Sequence, residues 1–463
     1  MSTPKGGQLQ RGLKNRHIQM IALGGAIGTG LFYGSAESIR LVGPGIILSY
    51  LIGGAVMYLI MRMLGEMSAE EPVAGAFSHF AYKYWGEFPG FLAGWNYWFL
   101  YILVSMAELT VVGIYVAYWL PEFPHWATSL IVLTSITLIN LVNVRFYGEL
   151  EFWFALVKVL AVIGMIVLGL ALIFLGLGGP ATGFDNLWTH DGFLPNGVWG
   201  LLLSLVVVMF SFGGTELIGI AAGEADDPRR SIPRAVKQVM WRILLFYIGS
   251  LTVMMIIFPW NEVGTEGSPF VTIFSRLGIG SAANILNFVV LTAAISVYNS
   301  GIYSNGRMLY SLAAQGNAPK IFMTLGGNKV PYVAILFSSA CTLAAVVINY
   351  VIPEGAFMQV MALATTAATI TWGMIMLVHL RFRRAHAGKV SQLAFPAPFF
   401  PYANYACVAF MVLIVVMMTQ LDSMRNAVYV LPVWLAVLYV GFRVKLRAGG
   451  SAESSTLQQE RAH

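Results

Sequence analysis

The sequence predicts an all-α integral membrane protein of about twelve transmembrane helices, the first and sixth of them broken. Three observations carry that prediction. The chain is 58% hydrophobic and only 10% charged, with a mean hydropathy of +0.73, whereas a typical soluble domain has about 25% charged residues. Apolar windows of about 20 residues, the length that spans a bilayer as helix, recur along nearly the whole chain. Two of those windows contain glycine clusters, and each glycine costs about 1 kcal/mol relative to alanine inside a helix.

The windows fall near residues 18–37, 44–65, 88–119, 125–144, 152–177, 198–222, 239–260, 280–312, 331–351, 356–380, 402–420 and 427–446. They divide the chain into an N-terminal segment (1–17), a membrane domain (18–446) and a C-terminal tail (447–463). The tail's Ala448-Gly-Gly-Ser-Ala-Glu-Ser-Ser-Thr456 reads as a short disordered end. Of 27 Lys and Arg residues, 23 fall on the side that holds both termini, 3 on the other (Arg40, Arg276, Arg425), and Lys158 lies within the fifth window. The positive-inside rule then places both termini in the cytoplasm and requires an even number of spans. Basic loops facing an anionic leaflet also account for the net charge of +6 and the pI near 9.2. A nucleic-acid binder would need a soluble basic domain, which this pattern leaves no room for.

The basic start is not followed by a small-residue cleavage site, so the first window reads as a retained helix. Cys341 and Cys407 fall inside windows and read as small packing residues. The seven histidines are scattered without paired ligand spacing, so no disulfide framework, metal site or cofactor is implied. No nucleophile–base pair is evident, and no Gly-Lys-Ser/Thr follows the first glycine run, which argues against an enzyme.

The first glycine cluster is Leu23-Gly-Gly-Ala-Ile-Gly-Thr-Gly-Leu-Phe32. In lipid, backbone groups freed by a break must find partners inside the protein, so the break should line a cavity. Exposed N–H groups of one half-helix favour an anion and exposed carbonyls of the other favour a cation. An amino acid carries both charges. The second cluster, Phe210-Ser-Phe-Gly-Gly-Thr-Glu-Leu-Ile-Gly219, recurs five windows later. That spacing suits two five-helix halves of inverted topology, each giving one discontinuous helix to a midplane site. The alternative is that these glycines only let helices pack closely.

Charged residues inside windows need a reason, since each costs roughly 2.5–3.5 kcal/mol at a helix centre. Lys158 lies about 10 Å beyond Glu151 along the fifth helix. It either snorkels back to the interface or is a buried ammonium whose proton affinity falls on desolvation. Tyr97, Tyr101, Ser105 and Glu108 share one stripe of the third helix. Glu108 on that stripe is either a protonated group bonded to a neighbouring helix or part of a substrate or proton path. Glu216 belongs to the second break. Glu66, Glu70, Glu71, Glu149 and Glu224 lie near helix ends, where pairing with Arg and Lys is the default. In the eighth helix, Ser296-Val-Tyr-Asn-Ser300 offers hydroxyl and amide groups toward Lys158, or simply interhelical hydrogen bonds. Trp95, Trp98, Trp119, Trp188 and Trp199 read as belt or packing residues.

Longer motifs give these features a context. They are Arg-Gly-Leu-Lys-Asn-Arg-His-Ile-Gln at 11–19, Gly-Ala-Ile-Gly-Thr-Gly at 25–30, Gly-Glu-Met at 65–67, Glu-Pro-Val-Ala-Gly at 71–75 and Gly-Trp-Asn-Tyr-Trp at 94–98. Gly-Glu-Leu-Glu-Phe-Trp-Phe-Ala at 148–155, Phe-Ser-Phe-Gly-Gly at 210–214 and Gln-Gly-Asn-Ala-Pro-Lys at 315–320 complete the set. Over nearly its whole length the chain resembles bacterial permeases of the amino acid–polyamine–organocation superfamily, the aromatic amino-acid permeases most closely. The resemblance implies a leucine-transporter-type fold, with ten core helices in two inverted repeats and two further helices. It implies that the backbone of Gly28 and Gly30 and the Thr29 hydroxyl bind a substrate carboxylate. The Ala26 carbonyl, with carbonyls near Phe210 and Gly213, would face the ammonium. Phe210 matches the family's aromatic gate and Tyr101 a pocket position, so Tyr97, Tyr101 and Phe210 would frame the substrate side chain, with the Tyr hydroxyls and Glu108 available to a polar edge. Lys158 matches the lysine that replaces a sodium ion in proton-coupled members, which makes Lys158, Glu216 and Glu108 the expected coupling groups.

The function so implied is proton-coupled import of aromatic or large neutral L-amino acids across a bacterial inner membrane by alternating access. The implied partners are the amino acid, protons and the lipid bilayer, with no obligatory protein partner. Proline, histidine and 4-aminobutyrate permeases, or an exchanger, look similar over the same segments. A sensor that binds amino acid without moving it is the alternative from another class.

Overall fold

The helices follow the apolar windows closely in some places and outrun them in others. The computed structural model describes residue 20 and residues 27–73, 75–142, 144–179, 182–222, 227–263, 267–351 and 356–460. Among these residues every regular element is helical.

The short α1 (Thr29–Phe32) and α2 (Gly34–Val42) are separated by a kink at Tyr33; a turn at Gly43-Pro44-Gly45 then leads into α3 (Ile46–Glu70). There follow α4 (Ala76–Tyr84), α5 (Glu87–Ala117), α6 (His125–Val142), α7 (Val144–Phe174), α8 (Gly197–Phe210), α9 (Leu217–Ala221) and α10 (Pro228–Arg242). A π-helical segment, Ile243–Gly249, joins α10 to α11 (Ser250–Ile257). The remainder is α12 (Pro269–Arg276), α13 (Gly280–Ala314), α14 (Tyr332–Val351), α15 (Ala356–Ala385), α16 (Tyr402–Met418) and α17 (Asp422–Glu460).

Among the described residues, eight stretches are long and apolar enough to cross a membrane, and three shorter apolar helices lie at Gly197–Phe210, Leu245–Ile257 and Tyr402–Met418. Of the remaining windows, 198–222 holds a helix that ends at Phe210, 239–260 holds a π-helical segment, 402–420 holds a helix of 17 residues, and 18–37 runs into residues outside the described set. Conversely, Gly34–Glu70 counts once although its 37 residues extend about 55 Å at 1.5 Å per residue, more than one crossing of a ~30 Å hydrocarbon core.

The centre of the bundle is α5, which packs against both α13 and α15. The apolar part of α5 is 78% buried, against 17% for α17, so α17 lies at the periphery. Buried Asn and Ser residues concentrate on α13, with Asn287, Ser296, Asn299, Ser300, Ser304 and Asn305 all inside. Such groups are costly in an apolar interior unless hydrogen-bonded, so they mark where polar partners meet.

Several boundaries correct the reading of the sequence. Helix α7 begins at Val144 rather than near 152, α3 continues to Glu70 rather than 65, and α15 reaches Ala385 rather than 380. Apolar windows end where hydropathy falls, but helical hydrogen bonding continues wherever neighbouring protein covers the polar turns. The C-terminal tail also departs from expectation, since α17 is helical to Glu460. A helix already nucleated gains one bond for each residue added, and Ala, Leu, Gln and Glu favour propagation.

Candidate functional site

Gly28 is extended, at φ −132° and ψ −158°, and the helix starts immediately after it. The first N–H groups of such a segment have no acceptor within the helix. Leu31 and Phe32 N–H close onto the Gly28 carbonyl, each at 3.2 Å, and Tyr33 N–H onto Thr29 O at 2.7 Å. The upstream part of the glycine cluster, including Ala26, lies outside the described residues, as does Glu224.

The second break follows α8. Residues 211–219 are held by bonds of i to i−3 type: Ser211 N to Val208 O (3.0 Å), Gly213 N to Phe210 O (3.0 Å), Leu217 N to Gly214 O (3.2 Å) and Gly219 N to Glu216 O (2.9 Å). Gly214 has φ +91°, a backbone state that side-chain-bearing residues rarely adopt. The two breaks touch backbone to backbone. A Cβ on Gly30 would lie 2.5 Å from Ser211 Cα, so only glycine fits there. Ser211 is fixed from the other side by Tyr50 OH at 2.8 Å and by Tyr247 OH, which donates to the Ser211 carbonyl at 2.9 Å.

A cavity lies between the breaks. Gly28, Gly30, Tyr101, Glu108, Phe210, Gly213 and Glu216 all line it, together with Ser300 of α13 and Trp372, Ala364 and Ala368 of α15. Glu108 is 2% exposed and accepts a hydrogen bond from Thr29 Oγ1 at 2.8 Å. Among the described residues its Oε2 has no hydrogen-bonding partner. Glu216 is fully buried and accepts from Tyr101 OH at 3.2 Å and from Gly214 N–H at 3.3 Å. Both carboxylates therefore border the cavity with neutral donors beside them.

Thr29, Tyr97 and Lys158, all expected at the site, are not on the cavity wall; the Thr29 hydroxyl is held by Glu108 instead. Tyr97 does not line the cavity; its ring packs behind Tyr101, centroids 4.8 Å apart, and against Phe77 at 4.6 Å. Tyr101 and Phe210 frame the space without it, and Phe210 also meets Phe357 edge-on at 6.2 Å. Lys158 is not on the cavity wall either. Its side chain is fully buried and donates to Ser296 Oγ at 2.9 Å, so it does not snorkel to an interface. Ser296 in turn donates to Glu151 Oε1 at 2.6 Å, and Asn299 Nδ2 lies 3.5 Å from Glu151 Oε2.

Sequence reasoning missed Glu151 and Trp372 as neighbours of this region. Glu151 sat just outside an apolar window that begins too late. Trp372 was discoverable as a tryptophan deep inside a window rather than at a membrane interface.

A further buried acid, Glu66 on α3, has a different environment. It lies 3.0 Å from His379 Nε2 and 2.5 Å from Arg383 Nε, both on α15, and accepts from Ala397 N–H at 2.6 Å. Asn404 of α16 bonds the other imidazole nitrogen at 3.0 Å. Glu70 pairs with Arg229 at 3.5 Å. Beyond the end of α3, Glu71 meets Lys83 at 2.7 Å, His79 at 3.4 Å and the Tyr84 hydroxyl. Burial raises the Glu71 carboxyl's pKa, but the bonds from His79, Lys83 and Tyr84 outweigh it and bring the group down to about 2.

A helix that starts after extended Gly28 and a helix broken after Phe210 meet at a buried cavity, inside a bundle of membrane-length helices, which is the build of a helical membrane carrier. The chain belongs to the amino acid permease family, whose match covers residues 17–452. It is 55% identical over 440 residues to the aromatic amino acid transport protein AroP of Escherichia coli strain K12, covering 95% of this chain and 96% of that one. The protein of the same name from Salmonella typhimurium strain LT2 is 54% identical over 444 residues, covering 96% and 97%. The uncharacterized amino acid permease YtnA of Bacillus subtilis strain 168 is 47% identical over 452 residues, covering 96% and 98%.

Proposed function

We propose that this permease imports aromatic and other large neutral L-amino acids across a bacterial inner membrane together with protons, by alternating access around the cavity between its two breaks. The observation that carries the reading is the meeting of both breaks with the rings of Tyr101, Phe210 and Trp372 on one cavity. Rings bury large areas and prefer offset or edge-on contact with another ring. An aromatic substrate side chain therefore gains roughly 1.5–3 kcal/mol over alanine or glycine there. Extended similarity to aromatic amino acid transport proteins supports the same substrate class.

In this reading the chain has twelve membrane helices, ten of them in two inverted five-helix repeats, with both termini in the cytoplasm. The five-window spacing of the breaks and the uneven distribution of Lys and Arg support it. The substrate carboxylate binds the backbone at Gly28 and Gly30 near the Thr29 hydroxyl. Its ammonium faces the carbonyls of Ala26, Phe210 and Gly213, and Glu108 and Glu216 border the same space. Lys158 stands in for a sodium ion and takes and releases the coupled proton, with Glu216 and Glu108 on the proton path.

The test is uptake of labelled phenylalanine into proteoliposomes under an imposed pH gradient. Uptake is expected to follow the gradient and ignore sodium, and Lys158→Met is expected to abolish accumulation. A strict sodium requirement, or full accumulation by Lys158→Met, would refute proton coupling at this residue.

A further inference from the structure

We propose that Glu151 is the carboxylate that exchanges a proton with Lys158 through the hydroxyl of Ser296. The inference rests on the reading of Lys158 as the coupling group and adds the residue to which its proton goes.

Three features of the geometry point there. The Lys158 ammonium and the Glu151 carboxylate, both fully buried, are joined through a hydroxyl placed between them. Ser296 Oγ accepts from Lys158 Nζ at 2.9 Å while donating to Glu151 Oε1 at 2.6 Å, so the chain of bonds has one direction. A hydroxyl that accepts on one side and donates on the other is what a proton relay requires. The far side of Glu151 is also fixed. Asn299 Nδ2 approaches its Oε2 at 3.5 Å, and the orientation of that amide is set by Asn140 Nδ2, which donates to Asn299 Oδ1 at 2.8 Å.

The transfer balances without an outside reactant. An N–H bond of the Lys158 ammonium breaks as an O–H bond forms at Ser296 Oγ. The original Ser296 O–H breaks as an O–H forms at Glu151 Oε1. The products are a neutral amine and a neutral carboxylic acid, so the net charge of the pair stays at zero and the buried site never holds a single uncompensated ion. Other charged groups on these helices are Arg145 and Glu149 on α7, Glu87 and Glu108 on α5, Glu108 within electrostatic reach of Lys158, and Arg307 on α13. Arg307 is stacked over Tyr303 at 3.7 Å, and Tyr303 stacks on Tyr147, one turn before Glu151 on α7, at 4.0 Å. Glu151 precedes Lys158 on α7, so the relay runs toward the start of that helix.

The experiment compares Glu151→Gln, Glu151→Asp, Ser296→Ala, Ser296→Thr and Lys158→Met in proteoliposomes. It reads two quantities with labelled phenylalanine: accumulation driven by a pH gradient, and counterflow against internal unlabelled phenylalanine. Glu151→Gln and Ser296→Ala are each expected to lower the ratio of accumulation to counterflow about tenfold or more. Ser296→Thr, which keeps the hydroxyl, is expected to restore the ratio, and Glu151→Asp to shift the pH midpoint of uptake. If Lys158→Met loses accumulation while Glu151→Gln and Ser296→Ala keep the ratio, the relay is refuted and the coupling role of Lys158 stands. If Lys158→Met also accumulates fully, that role fails and the relay with it. Equal loss of both quantities in Glu151→Gln would make Glu151 a support of the fold and overturn the proposal.

Discussion

Glu66 and Glu108 are both carboxylates wholly inside the protein, yet their surroundings differ in kind. Each oxygen of Glu66 has a guanidinium, imidazole or backbone N–H beside it, supplied by α15 and the segment leading to α16. Glu108 has the Thr29 hydroxyl on one oxygen and borders a cavity. The contrast separates structural charge from charge left available to a ligand. A carboxylate whose partners are all built in ties helices together, whereas one whose neutral partners leave room beside it remains open to a substrate or a proton.

Removing the two groups should therefore fail in opposite ways, and this is the largest effect expected. Glu66→Ala leaves Arg383 buried without its counter-charge and should cost about 3–5 kcal/mol of stability, read as a lowered unfolding temperature in detergent. Glu108→Gln keeps an oxygen that can accept from Thr29 and should change stability by less than about 1 kcal/mol, yet abolish gradient-driven uptake. Comparable destabilisation by both would erase the distinction. Glu216→Gln should behave as Glu108→Gln does, impairing transport more than binding; transport unchanged at every pH would remove Glu216 from the coupling path.

The glycines of the first break sharpen the same contrast. Gly30→Ala drives a Cβ into the Ser211 backbone, which is held by Tyr247. It should cost about 1–3 kcal/mol by overpacking, whether or not substrate is present. Gly28→Ala meets side-chain atoms rather than backbone, Val297 Cγ2 at 2.8 Å, Glu108 Oε1 at 3.4 Å and Val297 Cβ at 3.8 Å, so it should cost less than Gly30→Ala. It should also weaken phenylalanine binding. Equal thermal losses in the two variants would show that Gly28 too serves only packing.

A smaller effect is expected at Tyr101. Its hydroxyl is spent on Glu216 rather than left free for a substrate's polar edge. Tyr101→Phe should therefore cost about 0.5–1.5 kcal/mol and weaken phenylalanine, tyrosine and tryptophan uptake alike. Selective loss of tyrosine and tryptophan would place the hydroxyl on the substrate instead.

Smallest of all is the contribution of Glu71, outside the membrane span. Its carboxyl sits at about 2 when folded, below the ordinary value of about 4.3. Its stabilisation is therefore present above that ordinary value and is lost as pH falls toward 2. The unfolding temperatures of the parent protein and Glu71→Gln should differ at pH 6 and converge on acidification; a constant difference would contradict the assignment.

Much of this was legible in the sequence because the signals are local. Glycines inside apolar windows marked both breaks, and the cost of charge in lipid singled out Lys158, Glu108 and Glu216. What the windows hid was depth. Glu66 read as a helix-end residue, and Glu151 and Arg383 fell outside the apolar windows, because hydropathy falls before the helix ends, while α3, α7 and α15 continue and are covered by other elements. Position on a shared stripe was also insufficient. Tyr97 and Tyr101 lie one turn apart on α5, and only Tyr101 reaches the cavity. The close contact of Gly30 with Ser211 was invisible because it joins residues 181 positions apart.

The most direct test of the central claim, that the cavity between the breaks is an aromatic amino-acid site, is competition by unlabelled amino acids against labelled phenylalanine uptake in proteoliposomes under a pH gradient. Phenylalanine, tyrosine and tryptophan are expected to compete best, leucine and histidine less, and lysine and glutamate least. Stronger competition by proline or 4-aminobutyrate than by every aromatic amino acid would contradict the claim and leave only the permease family standing.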